Sequence, residues 1–121
     1  MEKLVLTPEL VVQAFLETGL KPVTMDFGDG KTCGCLMTAV VKQYEPSSIQ
    51  YDEEDGLRSS RVRVAFFELT GMGTGVISGF DSPELCPRED EGRPDLTTNF
   101  EFGKACRLHL EEVGLLEKRG V

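Results

Sequence analysis

The stretch Gly28 to Cys35, Gly-Asp-Gly-Lys-Thr-Cys-Gly-Cys, combines residue types that could hold phosphate, bind metal or supply a reactive thiol. Phosphate is held when consecutive backbone N–H groups of a glycine-rich turn wrap it at the start of a helix, the arrangement behind Gly-x-x-x-x-Gly-Lys-Ser/Thr. Gly30, Lys31 and Thr32 match the end of that pattern, but its first glycine position holds Met25, whose side chain obstructs the wrap. The preceding Lys21-Pro22-Val23-Thr24 is also a poor buried strand. Thr32 is therefore expected to cap a helix, with Lys31 in solvent.

Cys33 and Cys35 would stand at that helix start, where the positive end of the helix dipole favours thiolate, so both are candidate reactive thiols. A metal site would have to add Cys86, Cys106 and His109 to them, because zinc centres are built from paired ligands and Cys33 and Cys35 form a single Cys-x-Cys. Cys106 and His109 are one helical turn apart, and His109 is the only histidine, so any acid-base chemistry near neutral pH would centre on it. Residues three apart on a helix point inward side by side and do not face each other across a cleft. The expectation is structural cysteines, a packed or rim histidine, and no cofactor.

Phe66 to Phe80 has the outline of a helix-turn-helix, with Gly71 at the turn and Met72 and Ile77 at buried positions. Phe67 replaces the small residue such a unit uses before its turn, and the second helix carries no Lys, Arg, Asn or Gln to read bases. Arg58, Arg61 and Arg63 could touch a DNA backbone from the first helix. Gly73, Thr74, Gly75 and Gly79 suggest a surface where missing side chains let a protein partner approach the backbone.

The elements that position these residues read as helices. Thr7, Pro8 and Glu9 form an N-cap and first turn, Leu6 and Val11 a hydrophobic staple, and Gly19 a left-handed stop. Val11, Ala14 and Phe15 make that helix's apolar stripe. Cys33, Leu36, Met37, Val40, Val41 and Tyr44 follow helical spacing up to Pro46, and Val62, Ala65, Phe66 and Leu69 do so after Ser59 and Ser60. Thr74 is placed to cap a short helix through Val76, Ile77 and Phe80. Thr98 and Glu101 have capping-box spacing before a last helix with Phe102, Ala105, Cys106, His109, Leu110 and Val113 on one face. Residues 47–60 and 83–97 are polar loops. The fold expected is an all-α, single-domain orthogonal bundle of about five helices spanning residues 1–121. The alternative is an α+β fold with a short hairpin around residues 23–41 or a strand at 61–67.

Apolar residues at 40% and charged residues at 28% are the proportions of a folded chain. With 21 acidic against 13 basic residues the formal charge is −8, which disfavours nucleic acid and anionic membranes as partners. The opening Met1 to Leu10 has no signal-peptide core and no stretch long enough to span a bilayer, which points to the cytoplasm and reduced thiols.

Gly30-Lys31-x-Cys33, Ile77-Ser78-Gly79-Phe80-Asp81 and Phe102-Gly103-x-Ala105-Cys106-Arg107 together resemble small uncharacterised bacterial helical proteins of about this length. The resemblance, through scattered positions, implies a compact helical fold and assigns no activity or site residues. The function expected is a non-enzymatic, cytoplasmic protein-interaction domain whose partner is another protein or a second copy of itself. Its alternatives are a helix-turn-helix regulator and a thiol or metal protein using Cys33, Cys35, Cys106 and His109.

Overall fold

The computed structural model describes residues 3–24, 27–53, 56–73, 75–81 and 94–116, with backbone alone for 94–98. Helix α1 spans Pro8–Thr18, and local chemistry sets both its ends. The Thr7 hydroxyl accepts from the Leu10 N–H at 3.2 Å, and Gly19 closes the helix with φ 73°. Val11, Ala14 and Phe15 are buried, as their spacing predicts.

Helix α2 spans Leu36–Tyr44 and is the centre of the molecule. Leu36, Met37, Thr38, Ala39, Val40 and Val41 are all buried, so the helix is enclosed on every side rather than along one stripe. It packs against α1, against α3 (Ser59–Thr70), and against a single 3-10 turn at Pro46–Ser48. Each fully buried Leu or Phe around it, among them Leu36, Phe15, Phe66 and Phe80, contributes about 1.5–3 kcal/mol.

The remaining helices are α4 (Gly75–Asp81) and α5 (Pro94–Glu112). These two form the most extensive helix pair, and α5 also packs on α1. The fold is mostly helical but is not the purely helical bundle expected. Two ladders are present among the described residues: β1 (Lys21–Pro22) runs parallel to β2 (Cys33–Gly34), and β3 (Tyr51–Asp52) pairs antiparallel with β4 (Gly56–Leu57). The first lies near the alternative hairpin of residues 23–41 but is parallel. The alternative strand at 61–67 is instead the body of α3. No helix among the described residues is long and apolar enough to cross a membrane.

Two expected faces need correction. The helix expected from Cys33 starts at Leu36, because the backbone of Cys33 and Gly34 is taken up by the β1–β2 ladder. Thr98 and Glu101 do not cap α5, which begins at Pro94, a residue suited to a first helical turn. The buried face of α5 is Phe100, Gly103, Cys106, Arg107 and Leu110, while Ala105 and Val113 are exposed.

That face follows from the α4–α5 crossing. A Cβ on Gly79 would fall on the Phe100 carbonyl, and a Cβ on Gly103 would fall on the Val76 carbonyl. Each glycine thus lies directly on the backbone of the other helix. Beside them Arg107 donates through Nη1 to the Phe80 carbonyl at 3.3 Å, covering the last turn of α4, and pairs with Glu111 at 3.1 Å. Gly79→Ala or Gly103→Ala should each cost about 2 kcal/mol or more in urea unfolding, because overpacking outweighs the roughly 1 kcal/mol that Ala gains in helix propensity. Gly73, which has open space around it, should accept Ala within about 0.5 kcal/mol. Equal stability of all three variants would contradict a backbone-to-backbone crossing.

Candidate functional site

The Gly28 to Cys35 stretch is a turn closed around a carboxylate of its own chain. Asp29 Oδ1 accepts from the backbone N–H groups of Lys31 at 2.8 Å, Thr32 at 2.7 Å and Cys33 at 3.0 Å. Its Oδ2 accepts from the Thr32 hydroxyl at 2.6 Å. The wrap that the sequence offers to phosphate is therefore filled by an internal anion, and a phosphate would have to displace Asp29 and meet its charge. The Thr32 hydroxyl, followed by the N–H groups of Cys33, Thr32 and Lys31, holds the Asp29 carboxyl far below the usual carboxylate range.

The turn is then fixed to the body. Gly30 and Gly28 adopt positive φ of 71° and 79°, and a Cβ on Gly28 would lie 2.6 Å from Gly34 Cα. Lys42 on α2 donates to the Gly30 carbonyl at 2.8 Å, and Lys31 lies over the Tyr51 ring at 4.7 Å. The Cys35 N–H and the Thr38 hydroxyl both donate to the Phe27 carbonyl, at 3.2 and 2.8 Å. Thr32 does not cap α2; the N-cap position is Cys35, which makes no side-chain cap bond.

Burial separates two of the three described thiols from solvent. Cys35 is 1% exposed and 3.5 Å from the Thr38 hydroxyl, and burial pushes its thiol up, outweighing any help from the start of α2. Cys106 is buried as well, and burial, with the Glu9 charge adding, pushes it up too. Cys33 is half-buried in the turn. His109 is half-buried on α5, 3.8 Å from Glu112. Cys86 lies outside the described residues. Among those described, no three His, Cys, Asp or Glu side chains come together as metal ligands.

The glycine surface divides. Gly79 is buried in the α4–α5 crossing and offers nothing to a partner, Gly73 and Gly75 are partly open, and Thr74, the expected cap of α4, lies outside the described residues. The two helices of the would-be helix-turn-helix do not form a packed pair: α3 packs on α2, and α4 on α5.

Sequence reasoning missed an apolar feature of the outer surface. The buried side of α3 is Val62, Ala65 and Phe66, as its spacing predicts, yet its outer side also carries apolar residues. Phe67 is 56% exposed and Val64 48%. Both line an open groove of about 550 Å³ with Ser60, Arg63, Glu68 and Gly73 at its sides and Met37 of α2 at its floor. The Lys3 ammonium lies 5.6 Å from the Phe67 ring centre, and the segment before α1 is tied to α3 by the Leu4 N–H donating to the Leu69 carbonyl at 2.7 Å. The signal was present in the sequence as Val64 and Phe67, which fall off the core stripe at helical spacing of their own.

No protein-family model, no curated protein and no solved structure matches the chain. Its chemistry rests on the geometry alone.

Two outcomes check this description. Asp29→Ala should lower the melting temperature, with amide exchange accelerated at Lys31 to Cys33. Because the folded carboxyl is depressed, its contribution is fully present above the ordinary value of 3.8 and is lost as pH falls towards the folded value. The melting difference between parent and variant should therefore be constant from neutral pH to about pH 5 and shrink below pH 4; a difference that grew on acidification would contradict the turn. In native protein, iodoacetamide should modify Cys33 well before Cys35 or Cys106, as mapped by peptide mass spectrometry. Early labelling of Cys35 would show that α2 does not shield it.

Proposed function

We propose that the chain is a non-enzymatic protein-interaction domain of the cytoplasm whose docking surface is the outer face of α3. The observation that carries this reading is the exposure of Val64 and Phe67 side by side at an open groove. An aromatic and a branched aliphatic side chain held out on a rigid helix, with charged residues at the rim, is the composition of an interaction surface. The occupant it fits is a helix of another polypeptide that brings an apolar pair flanked by both an acid and a base, to meet Glu68 and the α3 arginines. Unpaired thiols at Cys33, Cys35 and Cys106 support a reducing compartment.

Nucleic acid finds less here. The basic residues Arg61 and Arg63 share their helix with Glu68, on a chain of net charge −8.

A photoreactive phenylalanine analogue placed at Phe67 tests the surface in cells. One discrete adduct should form from that position, far exceeding any from the same analogue at Leu16, which is 64% exposed on α1 and serves as a control for exposure alone. Equal or absent crosslinking from the two positions would remove α3 as a docking face.

A further inference from the structure

At 100° per residue, Ser60, Val64, Phe67 and Gly71 fall in one line along α3, with Arg61 and Glu68 together on one flank and Arg63 on the other. All are exposed. Arg61 and Glu68 are two turns apart, too far to pair with each other, and neither enters an ion pair among the described residues.

This line is complementary to itself when reversed. A two-fold axis between Ala65 and Phe66 sets Val64 opposite the other copy's Phe67, and Phe67 opposite the other copy's Val64. Ser60 comes opposite Gly71 at each end, where the Lys3 side chain lies against Gly71 and over the Phe67 ring and must turn aside for the helices to approach. On the shared flank Arg61 comes within about 3 Å of helix rise of the other copy's Glu68, and symmetry repeats the pair. The two Arg63 residues lie on the opposite flank, staggered by about 7.5 Å of rise and in solvent, where screening is strong. A parallel arrangement would instead set Arg61 beside the other copy's Arg63 and give up both favourable pairs.

We infer that the chain associates with a second copy of itself through an antiparallel, two-fold pairing of α3, Val64 against Phe67 and Arg61 against Glu68. The inference rests on the reading of α3 as the docking face and names its occupant. Core contacts of aromatic and aliphatic side chains supply the attraction, and the charge pairs fix direction and register. Each copy carries a formal charge of −8, so general repulsion opposes the pairing and the two Arg61–Glu68 pairs act against it.

Sedimentation equilibrium over micromolar to millimolar protein tests this. The mass should rise from 13.4 kDa towards twice that value as concentration increases. Arg61→Glu alone and Glu68→Arg alone should each weaken association by about tenfold or more, because each sets like charges together across the axis. The double exchange should recover most of the loss, since the pairs reform with reversed sign. All of these positions are exposed, and unchanged melting temperatures would show that the variants are folded.

A chain that stays monomeric at millimolar concentration, or a dimer that the single reversals leave unchanged, overturns the inference. So does a double exchange no better than the single ones. If the chain stays monomeric while the analogue at Phe67 captures a single different protein, the docking face stands and self-pairing falls. If Phe67 captures nothing, both fall.

Discussion

The crossing of α4 over α5 at Gly79 and Gly103 brings two helix backbones directly together, and much else depends on it. Two helices can come this near only where neither carries a Cβ, and here each places its glycine on the other's backbone. The approach sets the rotation of α5, which turns Cys106 and Leu110 inward and brings Arg107 over the end of α4. An arginine so enclosed is tolerable because Glu111 and the Phe80 carbonyl satisfy it at once. With α5 fixed, α1 has a partner on one side and α2 on the other, and α2 becomes the enclosed helix of the core.

A second constraint operates at the entry to α2. The Asp29 carboxylate occupies the turn that glycine and lysine would otherwise open to an outside anion, and the turn's other polar groups are taken by Lys42, Thr38 and the β1–β2 ladder. Residue types associated with phosphate and metal chemistry thus serve to hold a loop against a helix. Backbone N–H groups left unpaired near a helix start attract negative charge, and a neighbouring aspartate meets that demand without a ligand.

Short-range chemistry was legible in the sequence, and relations across the chain were much less so. Thr7, Pro8 and Gly19 define α1 because a cap acts within a few residues, and Gly71 ends α3 for the same reason. Periodicity starts α2 at Cys33 because it cannot register the pairing of Cys33 and Gly34 with Lys21 and Pro22. Apolar spacing includes Ala105 and Val113 in the buried face of α5 and leaves out Phe100, Gly103 and Arg107: Gly103 has no side chain to count as apolar, and Arg107 is a charge on an inner face. Nothing local distinguishes Gly79, a glycine under another helix, from one that opens a surface to a partner. The outer pair on α3 was in view, but core-seeking periodicity assigns only one stripe to a helix.

With α4, α5 and the Asp29 turn occupied by the fold itself, the outer face of α3 is left as an open apolar surface among the described residues. The proposed account places a second copy there, antiparallel. A mixed sample of isotopically labelled and unlabelled chains, read by isotope-filtered nuclear Overhauser spectroscopy, tests it most directly. The account predicts contacts between Val64 methyl groups of one chain and the Phe67 ring of the other. Intermolecular contacts confined to other surfaces, or none at millimolar concentration, would contradict it.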